Sequence, residues 1–234
     1  MKSSRDGRER FVFVLGESEL ELVPGEIATH SSVIASAKNR KKRPSNLLLD
    51  ASYHHSAMSS LEDGERRGRP DLVHFFLMLC LDSRLNQIGE LKTIVHTRND
   101  ERIVVSRDTR LPPSYHRFVG LMESLFQNGA VPSKETPLLT IEKGWTLRDV
   151  IGSEKCDRIV LLDSEGAQVE PGIFLRSKRS ERTAVIIGGF PSGQLRSDLS
   201  GLEAEKLSFG KEMLKVWTVT SEMLVAAHGS ITAP

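Results

Sequence analysis

The glycine-rich run IIGGFPSG, from Ile186 to Gly193, is the strongest local signal of chemistry in this sequence. It continues the apolar stretch TAVII, and a strand that ends in a glycine-rich turn brings its backbone close to a ligand at the carboxyl edge of a sheet. The run lacks GxGxxG spacing and no GxxxxGK[ST] occurs in the chain, which disfavours a dinucleotide site or a P-loop. An ordinary strand and turn would look similar, so the run alone leaves both interpretations open.

GRPD is a second candidate, because Arg69 and Asp71 flank a proline at the start of an apolar helix predicted from Asp71 to Leu81. A carboxylate near the amide groups of a helix N-terminus is stabilised in its charged form. As a simple helix cap, Asp71 needs no further function. Alternatively, it holds Arg69 in a fixed pose, ready to bind an anion.

Further arginines occur in TRLPPSYHRF, where Arg110 precedes a predicted helix and Arg117 lies on it. Arginines spaced in this way suit an RNA phosphate path, although a solvated helix face is the plain alternative. The formal net charge is only +1, so a basic face would need the basic residues to be clustered. They cluster at Lys38–Arg43, at Arg66, Arg67 and Arg69, at Arg98–Arg117 and at Arg176–Arg182.

Metal and thiol chemistry are disfavoured by spacing. His54 and His55 are adjacent, and adjacent residues do not share a helix face, which argues against a metal bound by the pair. Neither Cys80 nor Cys156 belongs to a CxxC motif, and Cys80 lies in an apolar run typical of a buried structural thiol. His74 is expected to be a hydrogen-bonded core residue.

Buried-type strands alternate with helices, which predicts an α/β fold with a mostly parallel sheet. The predicted strands are Phe11–Gly16, Leu47–Asp50, Leu91–Thr97, Arg102–Ser106, Arg158–Asp163, Thr183–Gly189 and a short one in EKLSF. The predicted helices are Ala28–Lys42, SYHHSAM, Asp71–Leu81, Ser114–Phe126 with Ser114 as N-cap, a segment from Thr146, and Met213–Ala227. Residues 1–10 are expected to form a flexible arm, and residues 11–234 one domain.

The overall composition is that of a protein with a sizeable core, since 38% of the residues are hydrophobic. No window contains the roughly 20 apolar residues that a membrane span needs. The polar start MKSSRDGRER lacks the apolar region of a secretory signal, so we expect a soluble, cytoplasmic protein.

Taken together, these segments resemble the Nep1 family, also known as Emg1, and its archaeal members in particular. The matching stretches span most of residues 11–228 in the family's order: LLLDASYHHSAM, RRGRPDLVHFFLMLCLDSRLNQIGELKTIVHTRN, TRLPPSYHRFVGLMESLF, RIVLLD, AVIIGGFPSG and EKLSFGKEMLKVWTVTSE. GRPD, followed by an LDS–LN segment, a hairpin and R-x-P-x-x-[FY]-x-R-F-x-G-L-M, is specific to the family.

The resemblance implies a SPOUT-like α/β fold, in which a mostly parallel sheet is flanked by helices and the C-terminal part forms a trefoil knot. It implies a single domain with family-specific insertions. It also implies a homodimer that transfers a methyl group from S-adenosylmethionine to N1 of a pseudouridine in small-subunit ribosomal RNA. The family takes part in small-subunit assembly, so assembly proteins are further candidate partners. This chemistry requires no metal.

The resemblance also assigns site residues. Gly188 and Gly193 would line the cofactor site. A second wall would consist of Phe209, Gly210, Lys211, Glu212, Met213 and Leu214. For RNA, Arg69 matches the arginine of the family's RPD motif, with Asp71 beside it. Of three substrate-contacting arginines in the family, two are matched by Arg110 and Arg117. The middle one falls on Pro113 in this sequence.

Asp71 is the candidate catalytic base or base-positioning residue, and its competing role is to hold Arg69 by an ion pair. Two rival functions also stay open. A non-catalytic assembly factor would bind ribosomal RNA through the same arginines, but the glycine-rich run favours retained cofactor binding. A SPOUT methyltransferase with another target, such as tRNA, is disfavoured by GRPD and TRLP, because these elements belong to this family rather than to the whole class.

Overall fold

One sheet with helices on both faces organises the residues that this computed structural model describes, which are 9–177, 181–210 and 212–232. The strands are β1 (Phe11–Ser18), β2 (Leu91–Thr97), β3 (Glu101–Val105), β4 (Ala130–Val131), β5 (Leu139–Lys143), β6 (Arg158–Gln168), β7 (Thr183–Gly188) and β8 (Glu205–Ser208). The helices are α1 (Ser31–Arg40), α2 (Ala51–Met58), α3 (Pro70–Asp82), α4 (Arg84–Gln87), α5 (Tyr115–Asn128), α6 (Leu147–Glu154), α7 (Pro171–Ser177) and α8 (Val216–Thr232).

The strand order is β4-β5-β3-β2-β1-β7-β6-β8. From β2 through β1, β7 and β6 to β8 every pairing is parallel, whereas β3, β4 and β5 extend the other edge in antiparallel fashion. Strand β1 is central, with Phe11 opposite Leu91 on one side and Thr183 on the other. Its continuous apolar run suits a strand that is covered on both faces.

Alternate residues of β1 face two separate cores, as the period of a strand requires. Phe11 and Phe13 pack into a large cluster with α3, α5 and α8. Val12 packs on the opposite face against α6. A third, smaller cluster lies beneath α1 and α2 and includes Val33 and Met58.

The predicted fold class is confirmed, and the predicted β2–β3 hairpin turns at Asn99 and Asp100 as expected. The prediction of a strand at Leu47–Asp50 is wrong. This segment has a single bridge, between Leu48 and Leu22, and its buried leucines fill the cores beneath α1, α2 and α3 instead of extending the sheet. The short strands β4 and β5 were not predicted, because β4 has only two residues and β5 is amphipathic and half-exposed.

The helices differ in detail from the prediction. Ser114 occupies the N-cap position of α5 as predicted, but its side chain makes no capping hydrogen bond. Helix α8 begins at Val216 and not at Met213, which leaves Met213 and Leu214 in the preceding loop. None of the helices in the described ranges is long and apolar enough to cross a membrane. Residues 1–8 of the expected arm lie outside those ranges, and the trefoil knot stays a prediction.

Candidate active site

A cavity opens at the carboxyl ends of β7 and β8, where the loops after these strands face the middle of β6. Its walls come from residues 161–164, from parts of 187–195 and from parts of 207–219, and α3 adds Leu72 with Arg69 just before it. The cavity has a volume of about 1130 Å³, including the part open to solvent. The carboxyl ends of parallel strands are where α/β folds bind their ligands.

The β7 loop needs its glycines for steric reasons. A Cβ atom on Gly188 would lie 2.7 Å from the ring of Phe190, and one on Gly189 would lie 2.6 Å from the Cα of Ser18. Gly193 has a φ of +85°, in the left-handed region that glycine adopts without strain. Both Gly188 and Gly193 line the cavity, and their assignment to a cofactor stays a prediction.

The second predicted wall lies in the loop between β8 and α8. Four of its six residues line the cavity: Phe209, Glu212, Met213 and Leu214. Gly210 is bound to Ser208 instead, whose hydroxyl donates to the Gly210 carbonyl oxygen at 2.6 Å. Lys211 lies outside the described residues.

Exposed apolar side chains occur along this wall. Met213 is 58% exposed and Leu214 is 40% exposed, although both border the cavity. Apolar side chains that rim a cavity in this way are typical of a surface that a ligand covers.

The third wall was missed by sequence reasoning. Residues 161–164 at the bulged part of β6 line the cavity, among them Asp163. The Asp163 carboxylate accepts from the Glu165 amide at 2.9 Å and lies 3.4 Å from the Lys206 ammonium. The run RIVLLD predicted the strand, but the loop's role follows only from the adjacency of β6 and β7, which one sequence does not reveal.

Arg69 and Asp71 form a bidentate ion pair at the edge of the cavity. Arg69 Nε donates to Asp71 Oδ1 at 2.8 Å, and Arg69 Nη2 donates to Asp71 Oδ2 at 2.7 Å. This hydrogen bonding raises the pKa of Arg69 above its usual value. Asp71 lies in the first turn of α3, where a carboxylate is favoured, but the N-cap position belongs to Arg69 and no side-chain capping hydrogen bond occurs there. The pair instead fixes the guanidinium beside the cavity, which Arg69 lines.

The candidate RNA-binding residues around the start of α5 are on the surface. Arg110, Pro113 and Arg117 are exposed, and neither guanidinium group has a hydrogen bond or an ion pair with another described residue. None of the three lines the cavity. His74 on α3 is hydrogen-bonded to the carbonyl oxygen of Pro112 at 3.1 Å, which fastens this loop to the helix that carries Asp71.

Tyr115, at the start of α5, supports the same junction. Its hydroxyl donates to Asp50 Oδ2 at 2.6 Å, while Asp50 Oδ1 accepts from the amide of Ser52 at the start of α2. Burial, and after it the bond to Asp50, raises the pKa of Tyr115, so its phenol stays protonated. The phosphate-binding candidates and the Arg69–Asp71 pair therefore belong to connected elements.

A model of the family described as EMG1/NEP1 methyltransferase matches residues 13–228 of this chain. The chain belongs to that family.

Relatives and a solved structure agree with this assignment. A protein of Thermococcus sibiricus named "Ribosomal RNA small subunit methyltransferase Nep1" is 48% identical over 219 residues, which cover 93% of this chain and 97% of the relative. A Methanothrix thermoacetophila protein of the same name is 44% identical over 212 residues, covering 91% and 92%. The crystal structure of Archaeoglobus fulgidus Nep1 bound to S-adenosylhomocysteine has a TM-score of 0.82 at 38% identity, covering 97% of this chain and 100% of that one.

In this member of the EMG1/NEP1 family, the basic cluster at Arg66 and Arg67 is neither a basic face nor a solvated surface. Arg66 binds Glu19 through Nε at 2.7 Å, and Arg67 binds Glu21 through Nε at 2.7 Å. The guanidinium of Arg98 adds a bond of 2.6 Å to Glu19. These arginines neutralise buried carboxylates, which sequence reasoning could not foresee because the partners are 46 to 79 residues apart.

Two other basic clusters also contain arginines with structural partners. Arg40 and Lys42 both bind Glu123, which is fully buried on α5, at 2.6 Å. Arg182 pairs with the buried carboxylate of Glu154 at 3.2 Å. Residues 178–180 of the last cluster lie outside the described ranges.

The remaining predictions concern histidines and thiols. His74 is 8% exposed and hydrogen-bonded, which confirms its prediction as a core residue. Cys80 is fully buried, and burial raises the pKa of its thiol, which confirms a structural role. His54 is buried whereas His55 is exposed, and no cluster of three or more potential metal-binding side chains occurs among the residues the structure describes.

Proposed function

We propose that this chain is an S-adenosylmethionine-dependent methyltransferase that methylates N1 of a pseudouridine in small-subunit ribosomal RNA, in the cytoplasm. The observation that carries the proposal is the cavity bounded by the β7 and β8 loops, in a fold that matches a relative solved with S-adenosylhomocysteine. The Arg69–Asp71 pair at the cavity edge supplies polar groups where the target base would enter.

The cavity suits a nucleoside joined to an amino acid. Glycines at 188 and 193 leave backbone groups accessible to a ligand, and Phe209 and Leu214 offer apolar surface for an aromatic base. Asp163 and Glu212 add negative charge for a cationic ligand. Cavities of this mixed character, apolar with a few polar groups, are typical of small-molecule sites.

S-adenosylmethionine supplies, when bound, a methyl group on a positively charged sulfur, which is already an activated electrophile. The bond from pseudouridine N1 to the methyl carbon forms as the carbon–sulfur bond breaks, and the N1 proton must leave to a base or to solvent. The protein's work is therefore to position the base, to exclude water and to help to remove that proton. The target nucleotide has to be extruded from its loop to reach the cavity.

Asp71 supports this reaction by holding Arg69, an inference that rests on the two hydrogen bonds between them. Each carboxylate oxygen keeps a second lone pair, so acceptance of the N1 proton is also chemically feasible. An Asp71→Asn variant separates the two roles. If Asp71 mainly holds Arg69, this variant should lose RNA affinity and methylation together. Normal RNA binding with lost methylation would instead assign the base role to Asp71.

RNA contacts are proposed for Arg69, Arg110 and Arg117. The latter two have exposed guanidinium groups with no ion-pair partner among the described residues, so a phosphate could bind them without displacing a carboxylate. Pro113 supplies no donor at the position to which the family resemblance assigns a third substrate-contacting arginine. We expect this site to lack one phosphate contact as a result.

A homodimer is proposed through the exposed apolar face that α3 and α8 share. Phe75 is 49% exposed and Val225 73%, and the Phe75 and Trp217 rings lie 5.2 Å apart. Large exposed apolar side chains that are contiguous are typical of protein interfaces. Trp217 also lines the cofactor cavity, so this interface would border the active site. Ribosome assembly proteins are further proposed partners.

The decisive experiment is methyl transfer from labelled S-adenosylmethionine to two matched small-subunit hairpins, with uridine or pseudouridine at the target. Label on the pseudouridine hairpin alone is the expected result. Absence of label on both, with cofactor and RNA binding intact, would favour a non-catalytic assembly factor. Label on a tRNA control and not on the hairpins would indicate a different RNA target.

A further inference from the structure

The β7 loop, which forms one wall of the cavity, is hydrogen-bonded through its backbone to the side chains of Arg66 and Glu17. Arg66 Nη1 donates to the carbonyl oxygen of Gln194 at 2.9 Å. The Glu17 carboxylate accepts from the amide of Arg196 at 2.9 Å and from the amide of Ser197 at 2.5 Å. The backbone of the loop therefore depends on residues that are distant in sequence.

Arg66 also contacts the β7 loop through the aromatic ring of Phe190. Its guanidinium carbon lies 3.7 Å from the centroid of the Phe190 ring, a close cation–π contact. The same guanidinium binds Glu17 at 2.8 Å and Glu19 at 2.7 Å, and the Arg66 side chain is 8% exposed. Arg66 does not line the cavity itself, whereas both Phe190 and Gln194 do.

Arg67 provides an internal comparison for this arrangement. It is similarly buried, at 11% side-chain exposure, and it binds Glu21 through two hydrogen bonds of 2.7 and 2.8 Å. Its other hydrogen bond, to the carbonyl oxygen of Glu62, stays within its own loop. Both arginines neutralise buried glutamates, but only Arg66 reaches the loop that borders the cavity.

We propose that Arg66, oriented by Glu17 and Glu19, is a positioning residue that sets the shape of the cofactor wall. The inference rests on the proposed function, because it assigns the cavity to S-adenosylmethionine. The role requires the planar, forked guanidinium, which bonds two carboxylates and one carbonyl oxygen while its face lies on an aromatic ring. A lysine ammonium keeps the charge but cannot make all four contacts.

The test uses the full-length protein with Arg66→Lys, Arg66→Gln and the matched control Arg67→Lys. Calorimetry with S-adenosylhomocysteine gives the dissociation constant, and steady-state methylation gives KM for S-adenosylmethionine and kcat. Arg66→Lys retains the charge and is the variant to measure if Arg66→Gln does not fold. Wild-type binding of S-adenosylhomocysteine is measured first, so that failure of the proposed function is recognised separately.

For Arg66→Lys we expect the dissociation constant and KM to rise about tenfold, with a smaller change in kcat and less than about a twofold change in RNA affinity. Arg67→Lys should leave the cofactor dissociation constant within about twofold of wild type. Equal effects of Arg66→Lys and Arg67→Lys on cofactor binding, or no effect of either, would overturn the inference. A wild-type protein that does not bind S-adenosylhomocysteine would overturn the proposed function as well.

Discussion

The arginines that bind glutamates at and after the end of β1 and the arginines around the start of α5 have opposite surroundings. Arg66, Arg67 and Arg98 lie among buried glutamates and make ion pairs of 2.6 to 2.8 Å. Arg110 and Arg117 are exposed and have no ion pair with another described residue. Removal of one partner from a buried ion pair leaves the other charge buried without compensation, which lowers the stability of the protein. Replacement of an exposed arginine changes the stability little.

This difference also explains how a net charge of +1 is compatible with RNA binding. Many of the basic side chains in the sequence clusters neutralise carboxylates inside the protein, for example Arg40 with Glu123 and Arg66 with Glu17. The net charge therefore includes many internal ion pairs and does not describe the surface, where Arg110 and Arg117 are exposed and have no ion pair with another described residue.

The largest expected effect is on folding stability and separates the two regions directly. Arg66→Gln should lower the free energy of unfolding by about 3–5 kcal/mol, because Glu17 and Glu19 lose a buried partner. Arg117→Gln should change it by less than about 0.5 kcal/mol. Urea denaturation of both variants measures this, and similar losses for the two would contradict the comparison.

The second effect is on RNA affinity. The double variant Arg110→Gln, Arg117→Gln should weaken binding of a target hairpin about tenfold or more and lower the slope of log K against log salt by about 1–2. Affinity for S-adenosylhomocysteine should not change, since neither residue lines the cavity. A salt titration of hairpin binding provides the measurement, and an unchanged slope would show that these arginines do not contact phosphate.

A smaller expected effect is a pH dependence of folding stability, which arises from buried histidines and not from the exposed arginines. Burial lowers the pKa values of His54 and His96 below the ordinary value of 6.5, and His96 Nδ1 accepts from the amide of Glu17. At these two histidines the unfolded chain then binds more protons than the folded one, so their contribution to stability is complete above about pH 6.5 and falls as the pH is lowered below it. Arginine stays charged throughout this range.

Thermal denaturation from about pH 8 to about pH 5 measures this dependence, and a His96→Gln variant should show a shallower decline. A melting temperature that rises on acidification would contradict the direction of both pKa shifts. The same slope in wild type and His96→Gln would assign the dependence to other groups.

The smallest expected effect is an increase in RNA affinity. Pro113→Arg should tighten hairpin binding by roughly threefold at low salt and increase the salt slope by about 1, since it adds one donor ahead of α5. Pro113→Gln is the matched control, because it removes the ring without adding charge. Equal affinities of the two variants would mean that residue 113 lies away from the phosphate path.

The parts of this molecule that could be predicted are those determined by residues that are adjacent in the chain. The β7 loop with Gly188 and Gly193, the short strand β8 and the start of α3 follow from runs and turns that are adjacent in the chain. Family resemblance added Phe209 to Leu214, and most of that stretch does line the cavity.

What could not be predicted depends on neighbours that are distant in sequence. Strand β6 borders the cavity only because the sheet order places it between β7 and β8. Arg66 and Arg67 were grouped with Arg69 as basic residues, although their partners come from the end of β1. The Leu47–Asp50 run had the composition of a strand, but only one bridging neighbour was within reach.

The alternation of residues from Glu17, near the end of β1, to Leu22 limits how the sequences of such chains can diverge. Its carboxylates at Glu17, Glu19 and Glu21 alternate with Leu20 and Leu22, which pack against the main core. One inserted or deleted residue would exchange the two sets, directing leucines to the arginines and carboxylates to the core. Aligned family sequences should therefore keep the length of this segment and the alternation of carboxylates with apolar residues, and gaps should fall in exposed turns such as residues 133–137.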